Sequence, residues 1–198
     1  MPKIKSDPRC FVALDLPSVN EAEAMVEVLG DAVDSYKIGL QLLPIGGVEF
    51  GQRLKAMGKN VFYDFKFHDI GATVEKATRS IAGLQADLLT VHARPDVMRA
   101  AVKGRGTSPL KILGVTVLTS LDQDALKAIG YNDNAESLVM RRVEQALEAG
   151  IDGVVSSPLE RRLFAPLCPN IFWWSPPACG QRVRMWGTKS ELLRLPAL

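Results

Sequence analysis

Cysteine is scarce in this 198-residue chain, with only Cys10, Cys168 and Cys179. An odd, widely spaced trio supports neither a disulfide scaffold nor a zinc site. Long apolar runs are also missing. No segment approaches the ~20 residues that span a bilayer. Residues 1–8 carry positive charge with no apolar core behind them, so no secretory leader is expected. These absences predict a cytoplasmic protein without membrane contact. Neither sign of charge dominates, with 24 Lys+Arg against 22 Asp+Glu. A hydrophobic share of 47% and a charged share of 23% exclude a disordered tail, a collagen-like fibre and a coiled coil. The length suits one domain or a small pair.

What is present is a regular alternation. Short apolar or β-branched runs occupy 10–16, 36–39, 61–66, 87–91, 111–118 and 152–156. Between them lie helical stripes: Ala22, Val26 and Leu29; then Ile70, Val74, Ala77, Ile81 and Leu84; then Leu138, Val143, Ala146 and Leu147. Apolar residues three and four apart share one helix face. Ser18 and Asn134 sit where helices begin, and Gly30, Gly58, Gly83, Gly130 and Gly150 where they end. Strand and helix in alternation predict βα units around a parallel sheet. A doubly wound nucleotide binder needs a glycine-rich loop after its first strand. Here that segment reads Leu14-Asp15-Leu16-Pro17-Ser18. A barrel instead places its chemistry at the carboxyl ends of several strands, and the polar residues sit there.

Asp15 closes the first run, Lys37 lies inside the second, and Asp64 and Lys66 end the third, followed by Asp69 and Thr73. Residues two apart on a strand point to one face, so Asp64 and Lys66 should emerge together. Isolated strand-end charges are ordinarily solvated, and an ion pair there contributes little. Lys37 within Tyr-Lys-Ile-Gly and Lys66 within Phe-Lys-Phe are harder to explain that way, because buried charge is costly unless paired. A barrel would gather Asp15, Lys37, Asp64 and Lys66 around one mouth.

The stretch Asp64-Phe65-Lys66-Phe67-His68-Asp69-Ile70-Gly71-Ala72-Thr73 resembles the Asp-x-Lys-x-x-Asp-Ile-x-x-Thr signature of the orotidine 5′-phosphate decarboxylase family. Val12-Ala13-Leu14-Asp15, Tyr36-Lys37-Ile38-Gly39, Thr90-Val91-His92-Ala93, the 114–120 segment and the 149–157 segment resemble that family's other strands in order. The resemblance covers about residues 9–160. It implies a TIM (β/α)8 barrel, active without metal or organic cofactor, that dimerises with shared sites and acts on a small nucleotide. Lys66 would protonate C6 of the pyrimidine, with Asp64 against the departing carboxylate. Asp15 and Lys37 would bind the ribose. Asp69 and Thr73 would reach the partner subunit's site, and Thr119 or Ser120 would contact the pyrimidine edge. An ammonium held at a developing carbanion stabilises the transition state more than the ground state. His68, one residue before Asp69, offers a general acid but reads better as a loop or interface histidine, and His92 is either a residue lining the mouth or a strand-end packing residue. Arg94-Pro95 departs from the small residues and glycines that usually follow His-Ala in the family. The Lys103-Gly104-Arg105-Gly106 run reads as a solvated loop. Sugar-phosphate decarboxylases and aldolases of the same superfamily share Asp-x-Lys-x-x-Asp, but bind magnesium through an acidic residue on strand two. Lys37 holds that strand here and would repel the ion.

From about residue 161 the resemblance stops. Residues 161–198 hold six basic residues and one acidic one, and all three tryptophans. The family's Thr-Pro-Gly-x-Arg-Pro loop and following Gly-Asp-Gln are missing. Read two bases out of frame, Trp173-Trp174 forces a valine codon. Permitted codons for Ser175 to Arg182 then spell Val-Thr-Pro-Gly-Met-Arg-Pro-Ala. Met185-Trp186-Gly187 forces Val-Gly, and Gly-Asp-Gln-Lys-Arg is permitted from there. The expectation is therefore a barrel portion over 1–160 and an out-of-frame tail over 161–198, leaving about six βα units and an open sheet with bare edges. The chain would then be either a decarboxylase by lineage or an inactive, truncated remnant. A basic nucleic-acid-binding tail is the weaker reading; its binding would fall steeply with salt.

Overall fold

A computed structural model of the chain describes residues 10–117 and 123–156, together with the backbone of two further strands at 172–175 and 183–186. The first strand, β1 (Cys10–Ala13), leads into α1 (Val19–Leu29). The alternation continues through β2 (Ser35–Gly39), α2 (Gly47–Ala56), β3 (Asn60–Phe67), α3 (Gly71–Gly83), β4 (Leu88–His92), α4 (Pro95–Arg105) and β5 (Lys111–Val115). Two helices, α5 (Gln123–Ala128) and α6 (Ala135–Ala149), precede β6 (Gly153–Val155). Strands β1 to β6 pair in chain order, all parallel. These six βα strands are the TIM-barrel portion.

The remaining strands do not complete a regular (β/α)8 barrel. β7 (Phe172–Ser175) pairs parallel with β6, whereas β8 (Val183–Trp186) is antiparallel to both β7 and β1. The ring closes through them. This corrects the expectation of bare sheet edges: β7 covers β6 and β8 covers β1.

Local signals place the helices as their sequences suggest. Ser18 caps α1, its Oγ accepting from the Glu21 N–H at 3.2 Å. Asn134 caps α6 in the same way, through Ser137 at 2.8 Å. Two stripe positions fall differently. Ile70 is the N-cap residue of α3 and is 69% exposed, and Leu147 is turned outward on α6 while Val139 is buried instead. The 103–106 run is not a loop. Lys103, Gly104 and Arg105 form the last turn of α4, where Gly104 is pressed against α3. A Cβ at 104 would lie 2.2 Å from the Glu75 carbonyl oxygen, so only glycine permits that helix contact. Lys103 ties the same point from outside, 2.8 Å from the Glu75 carboxylate.

Strand alternation sorts the core into two layers. Tyr36, Ile38, Val61, Tyr63, Leu89, Val91, Ile112 and Val154 face the helices. The alternate positions point inward, where Phe11, Phe62, Leu88, Leu113, Val115 and Val155 form a second apolar cluster. Phe11 and Phe62 meet edge to face at 5.9 Å. Toward the carboxyl ends of the strands, the same inward parity continues into Lys37, Asp64, Lys66, Thr90 and His92. The barrel interior is therefore apolar below and ionic above, and one periodicity of two residues produces both.

Candidate active site

The inward positions at the strand ends form a continuous chain of alternating charge. Lys37 Nζ lies 3.0 Å from Asp15 Oδ1 and 3.5 Å from Asp64 Oδ2. Asp64 Oδ2 in turn lies 2.9 Å from Lys66 Nζ. The Lys37 side chain is only 9% exposed. A charge so buried is tolerated because two carboxylates flank it. Exposure rises along the array to 29% at Lys66 and 52% at Asp15. Of the two lysines, Lys66 is thus the more open to a bound molecule. Gly39, at the end of β2, leaves room for this packing. A Cβ there would lie 2.7 Å from Asp15 Oδ1.

Lys66 is not in ordinary strand geometry. Its φ is +48°, a conformation costing a non-glycine residue about 1–3 kcal/mol. The β3–β4 register shifts between Tyr63, opposite Leu89, and Phe67, opposite Val91. This bulge re-aims the strand end. Simple pleat alternation therefore gives the right neighbours but not the local path. Thr90 supports the distortion. Its Oγ donates to Asp64 Oδ1 at 2.9 Å and accepts from the Lys66 N–H at 3.0 Å. No role was expected for Thr90 from the sequence, although its inward parity on β4 beside β3 is the signal that finds it. Behind β3, Tyr63 donates to the Val48 carbonyl at 3.0 Å and packs over Gly51. Burial, with a smaller contribution from Glu49, pushes its phenol up to about 12.

Asp69 and Thr73 stand apart from this array. Asp69 is exposed, its Oδ1 accepting from the Ile70 N–H at 2.6 Å, and Thr73 is exposed on the first turn of α3. Within this single chain neither is bonded to Asp15, Lys37, Asp64 or Lys66. Thr119 and Ser120 lie outside the described residues. Among the described residues, no group of three or more His, Cys, Asp or Glu side chains is arranged to hold a metal ion.

His92 lines the mouth and stacks on His68, their ring centroids 4.6 Å apart. Burial is the main cause holding the His92 pKa below the usual imidazole range, followed by the neighbouring His68, Lys66, Arg142 and Arg94. A histidine depressed in the folded state binds fewer protons there than in the unfolded chain. Stability from this group is present above the unfolded pKa of about 6.5 and is lost as pH falls below it toward the folded value. Thermal melts across that window should show His92→Gln less acid-sensitive than the parent. An identical acid slope would remove His92 as the cause.

The family model described as Orotidine 5'-phosphate decarboxylase / HUMPS family matches residues 8–176. A curated protein of Caulobacter sp. (strain K31), named orotidine 5′-phosphate decarboxylase, is 59% identical over 160 residues, covering 81% of this chain and 70% of the relative. One of the same name from Caulobacter vibrioides (strain NA1000 / CB15N) is 60% identical over 158 residues, covering 80% and 68%. Among solved structures, orotidine 5′-phosphate decarboxylase from Lactobacillus acidophilus superposes with a TM-score of 0.73 at 32% identity, covering 78% of this chain and 73% of that one.

Proposed function

The chain belongs to the Orotidine 5'-phosphate decarboxylase / HUMPS family, and on that premise we propose that its barrel portion is built to decarboxylate orotidine 5′-phosphate to uridine 5′-phosphate. The observation that carries this reading is the continuous Asp15–Lys37–Asp64–Lys66 array. In the reaction the bond from C6 to the carboxylate breaks, carbon dioxide leaves, and the electron pair stays on C6. Lys66 Nζ delivers a proton to that carbon. Asp64 lies against the departing carboxylate and disfavours the bound ground state. Lys37 holds Asp64 from the other side and, with Asp15, faces the ribose. Thr119 or Ser120 would meet the pyrimidine edge. Fixed charges aimed at the reacting centre need no rearrangement as charge develops there. The sugar-phosphate branch of the superfamily fits less well, since Lys37 places an ammonium where a magnesium ligand would stand.

Asp69 and Thr73 are assigned to the site of a second subunit in a homodimer. Both are exposed on the face that carries the array. Leu40, Ile45 and Ile70, on the loops after β2 and β3, expose 53%, 48% and 69% of their surface, and apolar side chains left in water at these strand ends suit burial against a partner. Among the described residues no helix is long and apolar enough to cross a membrane; a cytoplasmic location, consistent with the nucleotide substrate, is part of the proposal. So is the division of the chain into a barrel portion over 1–160 and an out-of-frame tail over 161–198.

The shared site is tested by complementation in a frame-restored chain, one whose codons after about 160 are read in the alternative frame. Lys66→Ala and Asp69→Ala subunits, each inactive alone, should regain up to about a quarter of parental activity when mixed, because a heterodimer holds one intact composite site. Subunits shown to exchange without any recovery would mean that each site is built from one chain.

A further inference from the structure

Arg94 connects two parts of the site that the proposed reaction leaves unconnected. Its Nη1 lies 3.1 Å from His68 Nε2. A guanidinium only donates, so His68 accepts through Nε2 and carries its proton on Nδ1. The remaining edge of Arg94 is held by Asp96, with Nε to Oδ1 at 3.1 Å and Nη2 to Oδ2 at 2.5 Å. This two-point pairing fixes the plane of the guanidinium at the start of α4. His68 lies two residues after Lys66 and one before Asp69. The β3–α3 loop is thereby tethered to α4, with the His68 ring clamped between Arg94 and His92.

The charged groups facing this pair of rings are unequal. Lys66 from β3, Arg94 from the β4–α4 loop and Arg142 from α6 present cations toward His92. Asp69 lies on the histidine loop itself, and Asp96 on α4 is already engaged by Arg94. Tyr131 is bonded to Arg142 at 3.1 Å. Adding a proton to His68 would place a further cation among them and remove the lone pair that Arg94 needs.

We propose that Arg94 is a positioning residue, whose bond to neutral His68 holds the loop between Lys66 and Asp69 in its working place, and that protonation of His68 releases this loop. The inference rests on the assignment of Lys66 and Asp69 to the site. It makes the site acid-sensitive through a residue that touches neither substrate nor the reacting carbon.

The direct experiment is NMR on the full 198-residue chain between about pH 8 and pH 5, the range in which histidines change charge. At the upper end His68 should show the Nδ1–H tautomer, and the heteronuclear NOEs of the His68, Asp69 and Ile70 amides should be those of rigid backbone. Acidification should lower those NOEs. Arg94→Ala should lower them at every pH, and Arg94→Lys, which keeps a donor, should restore them in part. His68→Asn accepts from Arg94 but does not titrate, so its loop should stay rigid at the acid end. An Nε2–H tautomer, or an Arg94→Ala loop as rigid as the parent's, would overturn the proposal. A second readout is the pH profile of kcat/KM in the frame-restored chain. There His68→Asn should flatten the acid limb and Arg94→Ala should lower kcat/KM about tenfold; an unchanged profile in both would also overturn it. The two readings fail separately. A frame-restored chain that never decarboxylates orotidine 5′-phosphate, yet shows the expected tautomer and loop behaviour, would refute the assigned reaction and leave the tether standing.

Discussion

Lys66→Ala should abolish decarboxylation by the frame-restored chain while leaving its thermal unfolding nearly unchanged. The substitution removes the group assigned as proton donor but strands no charge, because Asp64 keeps Lys37 at 3.5 Å and Thr90 at 2.9 Å. It also removes no apolar packing, since Lys66 lies on the ionic side of the barrel interior. Lys66→Gly sharpens the test. At φ +48° glycine carries none of the strain that a side chain does, so this variant should be at least as stable as the parent and equally inactive. Stability and activity then move in opposite directions at one position, which a purely structural lysine would not produce. If either variant kept turnover within about tenfold of the parent, a barrier change of ~1.4 kcal/mol, Lys66 would not be the acid. Carbon dioxide release from carboxyl-labelled orotidine 5′-phosphate, with a thermal melt of each variant, measures both.

The sequence carried the array because strand parity and the placement of charge agree. Inward parity on β2, β3 and β4 selects Lys37, Asp64, Lys66, Thr90 and His92, and charged residues among otherwise apolar strands mark the end at which chemistry sits. Turns and helix ends were also legible where a side chain caps them, as at Ser18 and Asn134. Features that depend on register or on contacts distant in sequence were not. The bulge at Lys66 arises from pairing with β4, and nothing local to Phe-Lys-Phe announces a left-handed residue. Gly104 resembled a loop glycine because its reason is the Glu75 carbonyl on another helix. Arg94 departs from the family pattern in sequence, and its reason lies in His68 and Asp96, which bond to it from either side. Strand pairing of the tail was hidden for the same reason. Its composition breaks with the rest of the chain, yet backbone N–H and C=O groups pair whatever side chains they carry.

The 198-residue chain as written should fold but show no decarboxylation above background, although Asp64, Lys66 and Asp69 are all present. Its six βα strands supply the array, and β7 and β8 close the ring through backbone pairing. Closure by backbone is not the same as a phosphate grip. The Thr-Pro-Gly-x-Arg-Pro loop that the family resemblance calls for is absent from residues 161–198. Binding energy from a remote group such as the 5′-phosphate is used to orient and stabilise the reacting centre, so losing its partners lowers kcat as well as affinity. Relative to the frame-restored chain, the deficit in kcat/KM should exceed about a thousandfold, a barrier difference of ~4 kcal/mol. The cause can be separated from misfolding by using orotidine, which has no phosphate, as a second substrate. The restored chain should strongly prefer the phosphorylated form, whereas the chain as written should treat both with the same poor efficiency. A cooperative melt for the 198-residue chain would place the defect in the site rather than in the fold. Turnover of orotidine 5′-phosphate by that chain at a rate near the restored one would refute both the out-of-frame tail and the importance of the missing loop.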